Sequence, residues 1–190
     1  MINCLLASPS SSVRMGHEEL ISEWEHDPNA LLWVDLAGLD KAKEKEMLTQ
    51  FGCHPLAISD VQRERHPPKV ELFENFIFLL YRGFIAKSDN LNFEYTQIGL
   101  FIGQRLLITC HNQNSIAINS LFNESSEKYL VKSPIHLALK IFHSSCGNYL
   151  EQLFNFESHL EKIEDEFQNS GNDKMMREIT NYRSQLVKIK

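Results

Sequence analysis

Apolar positions recur along this chain with two different periods, and the switches between them predict its elements. Residues 2–7, INCLLA, form a short apolar run that predicts a first strand. The SPSSS segment at 8–12 is turn material. In 16–26, Leu20, Ile21 and Trp24 stand among four glutamates at helical spacings, which predicts an amphipathic helix ended by Asp27-Pro28-Asn29. LLWVDL at 31–36 reads as a buried strand. Asp40 is placed to cap a second helix that closes at Gly52. Strand, helix, strand, helix is the order of an α/β layer.

The stretch 52–84 organises the middle of the chain. It holds a short apolar helical turn at 56–61 and a charged, proline-locked link at 62–69. Next comes a run rich in Phe, Leu and Ile at 70–84, predicted to be one bulged strand or two strands at the centre of the sheet. KSDN at 87–90 is a turn, and 93–102 is another strand with Gly99 as a bulge candidate. Gly103-Gln104 signals a hairpin returning through 105–110. Short turns between three adjacent runs make that part antiparallel, so the predicted sheet is mixed.

Beyond Asn112 the period becomes helical. A short helix is expected at 116–122. Ser133-Pro134 starts a helix that nothing but Gly147 interrupts before Gln168, so it is either long or broken near Cys146-Gly147. NSGND at 169–173 is a turn. Met175, Ile179, Tyr182, Leu186 and Ile189 then step by four and three, a heptad seam with no C-cap before Lys190. That seam predicts a helix continuing past the last residue. The expected organisation is an α/β domain over 1–132 and a long helical hairpin over 133–190. The fold class is an α/β/α sandwich on a mixed central sheet, followed by long antiparallel helices.

Charge and chemistry narrow the function. The net charge of −6 argues against a nucleic-acid partner. Four widely spaced cysteines form no C-x-x-C pair and read as reduced thiols. No run approaches the ~20 apolar residues of a membrane span, and the first seven residues lack a basic leader. Cys53-His54 and Cys110-His111 put thiol beside imidazole, but strand neighbours face opposite ways, which disfavours a catalytic pair. The histidines at 136, 143 and 159 offer no pair four apart, and Cys110-His111 alone lacks the spacing of a zinc site. No glycine-rich phosphate loop is present. Glu157, Glu161, Glu164 and Asp165 line one side of the long helix. They read as a solvated face, or as a surface of hard oxygen ligands for divalent cations.

Against that background, GCHPL at 52–56 and PKVELFENFIFLL at 68–80 resemble the signature region of the cytoplasmic domain of CorA-like magnesium and cobalt transporters. LWVDL at 32–36 is similar to that family's first buried strand, LEKIEDE at 160–166 to its acidic helix, and 177–188 to the opening of its stalk. The resemblance implies a non-enzymic regulatory domain on the cytoplasmic side of the inner membrane, in a homopentamer whose membrane helices come after the stalk. It implies Mg2+ as regulatory cation, with Co2+ or Zn2+ as alternatives, held by carboxylates between subunits. By position Asp89 is the first candidate ligand and Glu157 the second. Pro67 stands where the family usually has arginine, and Arg65 is the nearest replacement. A zinc-transporting ZntB-type member and a stand-alone α/β binding module are the alternative readings.

Overall fold

A computed structural model describes residues 1–9, 12–86, 94–124, 126–170, 177, 179–180 and 182–184; the side chains of 123, 124, 164 and 166–170 lie outside that description. The strands are β1 (Ile2–Ala7), β2 (Arg14–Gly16), β3 (Leu31–Ala37), β4 (Lys69–Leu72), β5 (Ile77–Phe84), β6 (Tyr95–Ile102) and β7 (Leu106–His111). The helices are α1 (Glu19–His26), α2 (Lys41–Gln50), α3 (Pro55–Val61), α4 (Ile116–Glu124), α5 (Glu127–Leu130) and α6 (Pro134–Ser170). The seven strands form one sheet in the order β2-β1-β3-β7-β6-β5-β4. Only β3 and β7 run parallel; every other neighbouring pair is antiparallel. The sheet is mixed, as expected.

Strand alternation sends each side chain to one of two cores. Leu32, Val34 and Leu36 of β3, with Ile108 and Cys110 of β7, meet α1, α2 and α3 on one face. Trp33 of β3 and Leu107 of β7 meet α4, α5 and α6 on the other. The result is a three-layer α/β/α sandwich. Its local signals act as written. Asp40 accepts hydrogen bonds from the backbone N–H of Ala42 and Lys43 and starts α2. Gly52 closes the segment after α2 at φ +74°. His54 caps α3 through Nδ1, which accepts the Leu56 N–H at 3.2 Å, and its ring stacks on Phe73.

Three expectations change. The run 70–84 takes the second of its two expected forms, a pair of strands β4 and β5, but this hairpin lies toward one edge and not at the centre of the sheet. Phe73 N–H reaches Phe76 O at 2.8 Å across Glu74 and Asn75, which turns the chain back. Pro67 and Pro68 offer no N–H, so β4 is short and lies at the edge, with Val70 and Leu72 exposed. Gly99 is no bulge either. It pairs in register with both Leu80 and Cys110. A Cβ there would lie 2.5 Å from Val61 Cγ2, so its bareness admits α3 against the sheet. The first helix begins only at Glu19, because Arg14–Gly16 pairs with β1 as the outermost strand.

The long helix is unbroken over 37 residues, or roughly 55 Å. Gly147 lies in open space and does not interrupt it. Leu137, Ala138 and Ile141 fill the second core. Farther along, Phe156 contacts the ring of Tyr182 edge-on at 6.0 Å. The turn expected at 169–173 begins later than predicted, since Asn169 and Ser170 still belong to α6; 171–173 and most of the heptad seam fall outside the described residues.

Candidate functional site

The acidic edge of α6 holds one of the two candidate cation ligands. Glu157 and Glu161 are both exposed, one helical turn apart. Among the described residues, neither carboxylate has a hydrogen bond or an ion pair. They offer hard oxygen donors of the kind a hydrated divalent cation takes. Two carboxylates on one helix supply only part of such a shell, so water or a second chain would complete it. Asp89 lies outside the described residues. Among those described, no three His, Cys, Asp or Glu side chains converge to hold a metal.

Both thiol–imidazole neighbours take structural positions. Cys53 is buried in the first core, and burial pushes its thiol up to about 12. Cys110 is fully enclosed, and burial again raises its thiol well above the usual range. His111 faces the opposite way and enters a network that residue spacing did not reveal. Trp33 Nε1–H donates to Thr109 Oγ1 at 3.0 Å, and the Thr109 hydroxyl donates to Asp35 Oδ1. His111 Nε2–H donates to the same Oδ1 at 3.0 Å, and Nδ1–H donates to Gln113 O at 2.6 Å. Both ring nitrogens thus face oxygen atoms that can accept a hydrogen bond, an arrangement that suits the doubly protonated ring. Burial alone would lower the His111 pKa. The hydrogen bond and charge of Asp35, with the Gln113 carbonyl, outweigh it and raise the pKa above 6.5.

The signal for this network was an alternation in two places. Trp33 and Asp35 share one face of β3, and Thr109 and His111 share one face of β7. What joins them is the parallel register Asp35↔Thr109 and Ala37↔His111, between segments more than 70 residues apart. The pair borders a crevice of about 710 Å³ at the carboxyl ends of β3 and β7, which Asn3, His17, Asn112 and Asn119 also line. Crevices at that place hold ligands in many open α/β sheets. Both ring nitrogens of His111 are engaged, by Asp35 and by the Gln113 carbonyl, and the pair clamps β3 to β7.

Arg65 is exposed, and it borders a second cavity beside Pro67 and Pro68. A positive charge therefore does stand close to Pro67. The link that carries it is strapped down by Gln97 of β6. Gln97 Nε2 donates to Val61 O at 2.9 Å and to Arg63 O at 2.8 Å, and Oε1 accepts the His66 N–H at 3.1 Å.

Fold and surface together define an α/β/α domain that hands its chain on to a long helix with an acidic edge. The chain belongs to the CorA family: the family model described as "CorA-like Mg2+ transporter protein" matches residues 28–190. It is 25% identical over 177 residues to the cobalt/magnesium transport protein CorA of Methanocaldococcus jannaschii, covering 90% of this chain and 54% of that protein. The soluble domain of CorA from the same organism matches with a TM-score of 0.74 at 23% identity, over 97% of this chain and 72% of that one. The ZntB cytoplasmic domain from Vibrio parahaemolyticus matches at 0.56 and 14% identity, over 83% of this chain and 62% of that one. The chain spans about half the length of the curated relatives that it matches over 90% of its own. No helix among the described residues is long and apolar enough to cross a membrane.

Proposed function

We propose that this chain is the cation-sensing domain of a CorA-like magnesium and cobalt transporter, on the cytoplasmic face of the inner membrane. In this reading residues 1–132 form the sensing layer, and 133–190 form the helical arm toward the membrane. Mg2+ is the regulatory ion. It bridges carboxylates of adjacent subunits in a homopentamer, with Asp89 and Glu157 as ligands on this chain. Bridging removes like-charge repulsion and holds the ring closed. Loss of the ion restores the repulsion, and the ring loosens.

The observation that carries this reading is the exposed pair Glu157 and Glu161, without an ion pair among the described residues, on the long helix of a chain within this family. Zinc in the manner of ZntB stands second, since the likeness to that domain is lower and covers less of the chain. The test is Mg2+ inhibition of transport by the complete reading frame, in wild type and in Asp89→Ala and Glu157→Gln variants. Weaker inhibition in the variants is expected. Unaltered inhibition in both sinks the assignment of these two ligands.

A further inference from the structure

The cavity between the proline link and α6 has no part in cation sensing as proposed above, and its walls are chemically specific. Its volume is about 560 Å³, well within the ~300–1,000 Å³ of small-molecule sites. Arg65 from the link and Arg82 from β5 both line it. Among the described residues neither guanidinium has a hydrogen bond or an ion pair. That contrasts with Arg14, which is paired with Glu23, and Arg105, which donates to Asp27 O and lies over the Trp24 ring. Two uncompensated guanidiniums on one cavity of a chain with net charge −6 mark a place for an anion.

The rest of the lining is aromatic. Phe142 of α6 is 38% exposed and meets the Tyr81 ring edge-on at 5.3 Å. Tyr149 stands a further two turns along α6, its hydroxyl donating to Arg82 O at 3.0 Å. Tyr81 and Ser145 share a hydroxyl hydrogen bond at 3.1 Å. The opposite wall is Pro67 and Pro68, two rigid rings held in place by the Gln97 strap and by Asp60, which pairs with both His66 and Lys69. The proline wall is therefore in place before any ligand arrives, which lowers the cost of binding.

We propose that this cavity binds a small anionic ligand with a planar aromatic body, of the mononucleotide or aryl phosphate type. Its anionic group lies at Arg65 and Arg82, and its ring lies against Phe142 between α6 and the prolines. Charge-assisted, fork-like donors suit a phosphate or carboxylate, and the exposed ring suits a planar partner.

Cys146 makes the proposal measurable. It lines the same cavity and is exposed, whereas Cys4, Cys53 and Cys110 are buried. Burial pushes the thiols of Cys4 and Cys53 up to about 12 and that of Cys110 well above the usual range, so these three react slowly. The rate of Cys146 alkylation by neutral iodoacetamide, read by mass, is followed against AMP, phenyl phosphate, adenosine and inorganic phosphate at fixed ionic strength. AMP and phenyl phosphate are expected to slow the reaction several-fold and saturably, while adenosine and phosphate alone act far more weakly. Arg82→Gln is expected to raise the half-protecting concentration about tenfold, the loss of one charge-assisted contact. Arg65→Gln, at an exposed position where folding is not at stake, shifts it in the same direction.

No protection by AMP or phenyl phosphate up to about 10 mM, a very weak affinity for any specific site, overturns the proposal. Equal protection by inorganic phosphate overturns the aromatic half of it. Protection unchanged in both variants overturns the arginine assignment.

Discussion

The charged form of His111 is favoured in a place where burial alone would disfavour it. Its pKa is raised by Asp35 and the Gln113 carbonyl acting against that burial. The sign follows from linkage. A group whose folded pKa lies above its unfolded value stabilises fully below the unfolded pKa, and the contribution is lost as pH rises through the folded one. The stabilisation is therefore complete below about pH 6.5 and fades above it. Urea midpoints of the wild type should fall from pH 6.5 upward relative to His111→Gln. Parallel curves for the two proteins would show that the imidazolium is not what Asp35 holds. Residue-scale reading from sequence went part of the way. It read the four cysteines as reduced thiols and set aside a Cys-His pair, because strand neighbours face opposite ways. It could not see the bond from His111 to Asp35, because nothing local links two strands 76 residues apart along the chain.

At the scale of elements, two glycines do opposite work. Gly99 is bare because α3 needs the space: Val61 sits where its Cβ would be, and a β-branched side chain in a helix has little freedom to turn away. Gly99→Ala is expected to lower stability by about 1–3 kcal/mol through overpacking, measured by denaturant melting. Loss of less than a few tenths would mean that α3 shifts freely. Gly147 sits in open space in the middle of α6 and only costs helix propensity. Gly147→Ala should therefore raise stability by about 0.5–1 kcal/mol, with the same measurement as the check. The periodicity predicted both α6 and the interruption risk at Gly147. It left open whether the helix breaks there, since one glycine's preference is small beside the packing of the turns around it. The β4–β5 hairpin was harder to read. Its apolar run is interrupted at Glu74-Asn75, but a reversal there carries neither glycine nor proline, so one bulged strand and two strands both stayed open.

For the whole molecule, the balance of charge matters more than any single pair. A chain with net charge −6 gains from any added salt by screening. A cation that bridges the α6 carboxylates should give more than screening. The thermal midpoint is expected to rise further in MgCl2 than in NaCl of equal ionic strength, and Glu157→Gln should remove the excess. Equal midpoints in the two salts would leave Glu157 as a solvated charge. This surface was legible in sequence as a stripe of acids at helical spacing. That Glu157 and Glu161 have no ion pair among the described residues was not, since any of the basic side chains could have folded back onto them.

Sequence by itself determined most of the elements and their order, the burial of the main strands and the family, but missed β2 and α5. Each of these rests on periods of two or 3.6 residues, on caps, or on a contiguous motif, all of which are local. The tertiary structure alone decided which strands are neighbours. It placed β3 beside β7 at the centre and set the signature run as the edge strand β4 and its neighbour β5. It joined Asp35 to His111, and it brought Arg65 and Arg82 to one cavity with Phe142. Those juxtapositions depend on how the chain crosses from layer to layer, and the free energy that selects the crossing is spread over both cores.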